Sequence, residues 1–191
     1  MSWQILLMIM SSIGTGPMKS IMIDPGHGGA DPGAVSCLGY NEKDLNLSIA
    51  KQLANQLKQA GWRVSMTRST DTDVSLNERV ALANVEKPDI FFSIHADSWT
   101  TAGPRGSTVF IAPQASDTSQ ATAEALILAM PAENNRGIKR ANYRVLAKTK
   151  CPAVLIEMGF LSNPQDAKQL QDEAFQQNLV KRITKALLHL K

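Results

Sequence analysis

Four consecutive apolar residues, Ala153-Val154-Leu155-Ile156, run straight into Glu157 and constrain the fold more than any other stretch. A strand wetted on one side alternates apolar with polar residues, whereas an unbroken apolar run of this length fits a strand covered on both faces. Two further runs have the same character. Ile21-Met22-Ile23 enters the loop Asp24-Pro25-Gly26-His27-Gly28-Gly29-Ala30-Asp31-Pro32-Gly33, and Asp89-Ile90-Phe91-Phe92-Ser93-Ile94 terminates on His95-Ala96-Asp97-Ser98. Gly and Pro stop any regular element in the first of these loops, so His27 is displayed on a tight turn whose base a strand holds in place.

Between the runs the periodicity becomes helical. Leu45, Ile49, Leu53 and Leu57 recur at steps of four across residues 42–60, Gly61 closes the segment, and Glu42 stands in its first turn, where a carboxylate also interacts favourably with the helix dipole. Residues 62–67 read as a strand and 68–73 as a polar connection. Ser75-Leu76-Asn77-Glu78 has capping-box spacing and opens a helix to about Glu86, ahead of Pro88. There follow a strand over 106–112, a helix over 119–130, and a basic stretch from Gly137 to Lys148 that begins as a loop and ends as a short helix. A last helix starts at Asn163-Pro164 and runs through Leu187. The alternation predicts one α/β domain: a mainly parallel, mixed and twisted sheet of about five to six strands with helices on both faces.

In open sheets of this kind ligands bind beyond the carboxyl ends of the strands. His27, His95 and Glu157 each follow a strand end, and the loop before its helix brings Glu42 to the same edge, so the four are candidates for one site. Two imidazoles and a carboxylate form a three-donor set suited to zinc with a position left open for water, which points to catalysis. Such an ion lowers the pKa of water and polarises a carbonyl. Glu157, at the end of a buried strand, is then suited to general-base work, its alternative being an ion pair with a nearby Lys or Arg. Asp24 is expected either to accept the second ring proton of His27 or to cap the glycine loop.

Composition narrows the class further. The 191 residues are 43% hydrophobic and 19% charged, as a globular domain requires, and the formal net charge of +3 falls short of a nucleic-acid-binding tract. Cys37 and Cys151 fit no paired motif and read as free thiols, with a single bridge as the alternative. The apolar segment Trp3 to Met10 is too short to span a bilayer and no Lys or Arg precedes it, so it makes a poor signal peptide. Residues 1–17 are therefore set apart as a leader or tag, and the domain is placed at 18–191.

Several separated motifs, in order, resemble the zinc-dependent N-acetylmuramoyl-L-alanine amidases of the amidase-3 family. They are Asp24 to Gly29, Glu42 at a helix start, Thr67-Arg68, Arg79 with Ala83-Asn84, Ser93-Ile94-His95-Ala96, Arg136-Gly137-Ile138-Lys139, and Pro152 to Asn163. The resemblance implies hydrolysis of the amide between N-acetylmuramic acid and the L-alanine that begins the peptidoglycan stem. It assigns His27, Glu42 and His95 as zinc ligands and Glu157 as the catalytic glutamate. It further implies a peptidoglycan substrate and action at the bacterial cell wall, with no nucleic-acid partner and no membrane span; the absent signal peptide leaves a phage-type, endolysin-like release open. Many members carry Asn where Asp97 stands. Some insert a long helix that plugs the site after the strand ending at Ala112; here only Pro113 to Thr118 intervenes, which predicts a site open without an activator protein, and a monomer is expected. A zinc peptidase cutting within the stem, and a wall-binding module without chemistry, are the alternatives.

Overall fold

The computed structural model describes residues 19–190; the stretch 1–17 read above as a leader lies outside them. Six strands, β1 (Ser20–Pro25), β2 (Arg63–Met66), β3 (Ile90–Asp97), β4 (Thr108–Ile111), β5 (Ile138–Arg140) and β6 (Ala153–Phe160), form one sheet in the order β2-β1-β3-β6-β4-β5. The helices are α1 (Glu42–Gln59), α2 (Leu76–Glu86), α3 (Asp117–Ala129), α4 (Arg144–Ala147), α5 (Pro164–Gln171) and α6 (Glu173–Leu188). β2, β1, β3 and β6 run parallel, β4 is antiparallel to β6, and β5 follows β4. The mixed sheet is thus the predicted architecture.

The apolar runs explain why both faces are covered. Ile21, Ile23, Phe92, Ile94, Val154 and Ile156 meet Leu45, Ile49, Leu53 and Leu57 of α1 and the inner sides of α3 and α6 in one large core. The alternate residues Met22, Phe91 and Leu155 meet Ala83 of α2 and Val145 and Leu146 of α4 in a smaller one. β1 pairs with β2 on one side and β3 on the other, and α1 and α2 lie on opposite faces. The chain therefore reverses its winding between β1 and β3, the point at which open α/β sheets leave a crevice.

Three elements differ from expectation. β5 lies in the stretch read as a loop; three residues bordered by Gly137 and Ala141 carry no periodic signal, and pairing with β4 alone makes them a strand. α3 begins at Asp117, earlier than expected, because the Ser116 hydroxyl accepts from the Ser119 amide at 3.2 Å. The last helix is two helices, since the Asp172 carboxylate accepts from the Phe175 amide at 2.7 Å and starts α6 afresh.

Candidate metal centre

β1 ends at Pro25, and the chain turns through His27 with φ of 60°, a left-handed conformation that costs a residue with a Cβ of order 1 kcal/mol. The turn is fastened by reciprocal amide–carbonyl bonds between Gly28 and Asp31 at 3.0 and 3.1 Å. It places the His27 Nε2 3.2 Å from Glu42 Oε2, while His95 Nδ1, from β3, lies 3.0 Å from Glu42 Oε1. The two rings meet edge to face with centroids 5.0 Å apart. The structure brings His27, Glu42 and His95 together so that one donor atom of each lies within 4.8 Å of the others. Two nitrogens and an oxygen at this separation are the donor chemistry that a zinc ion takes.

Glu42 is buried at the start of α1, where its carboxylate also accepts from the amides of Ala34 and Ala96 and from the Asn46 side chain. Burial opposes its ionisation, yet the hydrogen bonds and charges of the two imidazoles outweigh burial and hold the carboxyl well below the usual range. For His27 burial disfavours the charged ring, but Glu42 and Asp31 prevail and raise its pKa. Little room surrounds the cluster. A Cβ at Gly26 would overlap the His95 ring, and one at Gly33, where φ is 65°, would stand 2.6 Å from Glu42 Oε2.

The expectation that Asp24 serves His27 is corrected. His27 Nδ1 pairs with Asp31 Oδ2 at 2.7 Å, whereas Asp24, buried at the end of β1, accepts from Thr67 at 2.6 Å, Ser93 at 2.7 Å and Arg79 at 2.6 Å. Arg79 in turn donates to the carbonyls of Pro25 and His27, both at 2.8 Å. Arg68 donates to those of Pro25 at 3.0 Å and Gly26 at 2.9 Å. Asp24 thus holds the loop through a buried arginine, in keeping with its alternative role as a cap. These two arginines and Asp31 are functional supports whose roles the sequence reading missed; Arg68 and Arg79 stood out only as parts of motifs.

Glu157 lies inside β6, directly beside His95 in the register with β3, so the two side chains share a face. Both strands run past their apolar stretches, to Asp97 and Phe160, because the ladder continues through the polar residues. The Glu157 Oε2 is buried and has no hydrogen-bond partner. Burial, and then the charges of Glu42 and Asp97, push its carboxyl well above the ordinary value. A cleft of about 400 Å³ opens on this face, bordered by Gly26, His27, Leu76, His95, Tyr143 and Glu157. Asp97 sits half-buried at the edge of the site, its pKa raised by burial against the Ser98 amide and the Arg136 charge. Both cysteines are free thiols, Cys37 exposed and Cys151 partly buried. Among the described residues no helix is long and apolar enough to cross a membrane.

Sheet order, switch-point crevice and a His–Glu–His cluster that could hold a metal ion, beside an unpartnered glutamate, define an α/β protein with a candidate metal site at its sheet edge. A family model described as N-acetylmuramoyl-L-alanine amidase matches residues 21–189, and the chain belongs to that amidase-3 family. Among individual relatives, the probable cell wall amidase LytH of Staphylococcus aureus is 40% identical over 171 residues, covering 88% of this chain and 57% of LytH. The chain thus spans a little over half the length of the curated relatives it matches. Among solved structures, an N-acetylmuramoyl-L-alanine amidase from Clostridium difficile 630 superposes with a TM-score of 0.86 at 36% identity, over 91% of this chain and 96% of that one. The CwlD amidase from Clostridioides difficile, solved in complex with the GerS lipoprotein, superposes with a TM-score of 0.83 at 28% identity, over 89% of this chain and 96% of that one.

Proposed function

We propose that this chain is a zinc-dependent peptidoglycan amidase that hydrolyses the bond between the lactyl group of N-acetylmuramic acid and the L-alanine of the stem. His27, Glu42 and His95 hold the ion and Glu157 moves the proton. The observation that carries the reading is the convergence of the His–Glu–His donor set with a buried, unpartnered Glu157 oxygen in one cleft. When bound, zinc supplies a Lewis acid that polarises the amide carbonyl and acidifies water. Glu42 gathers the two imidazoles around its carboxylate, and Asp31 fixes the His27 ring by accepting a hydrogen bond from its Nδ1–H, which leaves Nε2 facing the other donors. Glu157 accepts the proton of the attacking water as the oxygen–carbon bond forms, then delivers it to the alanine nitrogen as the carbon–nitrogen bond breaks. The raised pKa of this carboxyl suits both halves of that transfer.

The enzyme acts at the cell wall, as a monomer and without an activator. Residues 113–118 after β4 are absent from the cleft lining, which supports an open site; the GerS lipoprotein bound to CwlD makes this a point for direct test. The purified chain alone is incubated with purified peptidoglycan and the new amino groups are identified. New L-alanine N-termini support the reading. Cuts within the stem would turn it into a peptidase, bound zinc with no cut would favour a binding module, and cleavage only after a second protein is added would overturn the open site.

A further inference from the structure

The basic stretch Arg136 to Lys150 holds six of the chain's 20 Lys and Arg, and no Asp or Glu occurs between Asn134 and Ile156. The other 14 bases face 17 acids, so the rest of the chain is net negative. Positive charge is therefore segregated into this stretch, which is a footprint for an anionic ligand. All six cations are exposed, and among the described residues none lies in an ion pair.

Register decides which of the strand residues share the sheet face on which the cleft opens. Leu155 pairs with Phe110 of β4, and Phe110 with Lys139 of β5, so Lys139 shares the face of His95 and Glu157, two strands beyond Glu157. Arg140 points to the opposite face and caps the carbonyls of Ala112 and Pro113. Arg136 rests over the Phe160 ring, 5.1 Å from its centroid, at the end of β6. Arg144 borders the cleft, next to Tyr143, whose ring packs against Phe110 with centroids 5.1 Å apart. Asp97 feels the charges of Arg136 and Lys139 but is bridged to neither.

We infer that Arg136 and Lys139, on the side of Glu157 away from the metal cluster, together with Arg144 on the rim of the cleft, where it donates to Asn77 of α2, form a receptor for the carboxylates of the stem peptide and make the enzyme select acidic stems over amidated ones. This rests on the amidase reading above. It fixes the direction in which substrate lies: the amide over His95 and Glu157, and the peptide leaving across β4 towards the edge strand β5. Exposed cations provide charge attraction that salt screens, so the effect of each is modest and their sum sets the preference.

The test uses the free stem peptide L-Ala-D-γ-Glu-L-Lys-D-Ala with its carboxylates free, and the same peptide with them amidated. Calorimetry compares their binding to the native protein and to the variant Arg136→Gln/Lys139→Gln/Arg144→Gln. The native protein is expected to bind the acidic peptide on the order of tenfold more tightly than the amidated one, the advantage shrinking with salt and nearly vanishing in the variant. In turnover of matching muropeptides the same preference appears in KM. Equal binding of both peptides by the native protein would overturn the inference, as would a variant that keeps the full preference. So would a variant that loses only binding to inorganic polyphosphate, which would make the stretch a dock for phosphate polymers. Failure of native, zinc-loaded protein to cleave any muropeptide would instead strike the amidase reading, while the calorimetry still reports on the peptide receptor.

Discussion

Glu157 is buried beside two other carboxyls, Glu42 and Asp97, and its pKa in the folded chain lies above its ordinary value. A raised carboxyl pKa leaves stability intact below the unfolded value of about 4.3 and removes it as pH rises through the folded value. In metal-free protein, Glu157→Gln is therefore expected to raise the melting temperature at pH 8, by about 2–4 °C for each kcal/mol of relieved desolvation, and to leave it unchanged near pH 4. A melting temperature lowered at pH 8 would contradict the buried, unpartnered state of this group. The two thiols offer a second check, since burial pushes Cys151 up to about 11 while Cys37 is exposed. Iodoacetamide at pH 8 is expected to label Cys37 well before Cys151, as peptide mapping would show. At this scale His27, His95 and Glu157 were legible because each interrupts or follows an apolar run. Asp31, Arg68 and Arg79 were not: their importance comes from ring and carbonyl groups that only the folded loop presents.

The His27 loop is an element in its own right, held by two arginines from β2's end and α2. Its anchor is the Arg79–Asp24 pair, buried on both sides and 2.6 Å apart. Removing one partner strands the other charge in a low-dielectric site, so Asp24→Ala is expected to cost about 3–5 kcal/mol in urea unfolding, and Asp24→Asn distinctly less. Equal and small losses in both would show that the pair does not organise the loop. Gly26→Ala leaves the sheet intact but drives a methyl into the His95 ring; the expected result is a folded protein by circular dichroism whose zinc affinity is greatly reduced. Helices of clear period and capping were read closely from sequence, as the capping box of Ser75 and Glu78 shows. β5 and the break at Asp172 escaped, because a three-residue edge strand and a mid-helix cap leave no periodic trace.

For the whole molecule, the parallel core and the gathering of the candidate residues at one sheet edge followed from where the apolar runs end. The strand order did not: nothing local in β4 says that it runs against β6 or that β5 sits outside it. That arrangement places Lys139 on the face of Glu157, two strands further from the His–Glu–His cluster. In the function proposed above, two separate devices, a metal-holding triad and a proton-moving glutamate, share this cleft. Zinc content and peptidoglycan cleavage, measured for the native chain, His95→Ala and Glu157→Gln, separate the two roles. Zinc is expected in the native and Glu157→Gln proteins, turnover in Glu157→Gln lowered about 100-fold or more, and neither zinc nor turnover in His95→Ala. Loss of zinc from Glu157→Gln, or undiminished zinc and turnover in His95→Ala, would contradict that division of roles.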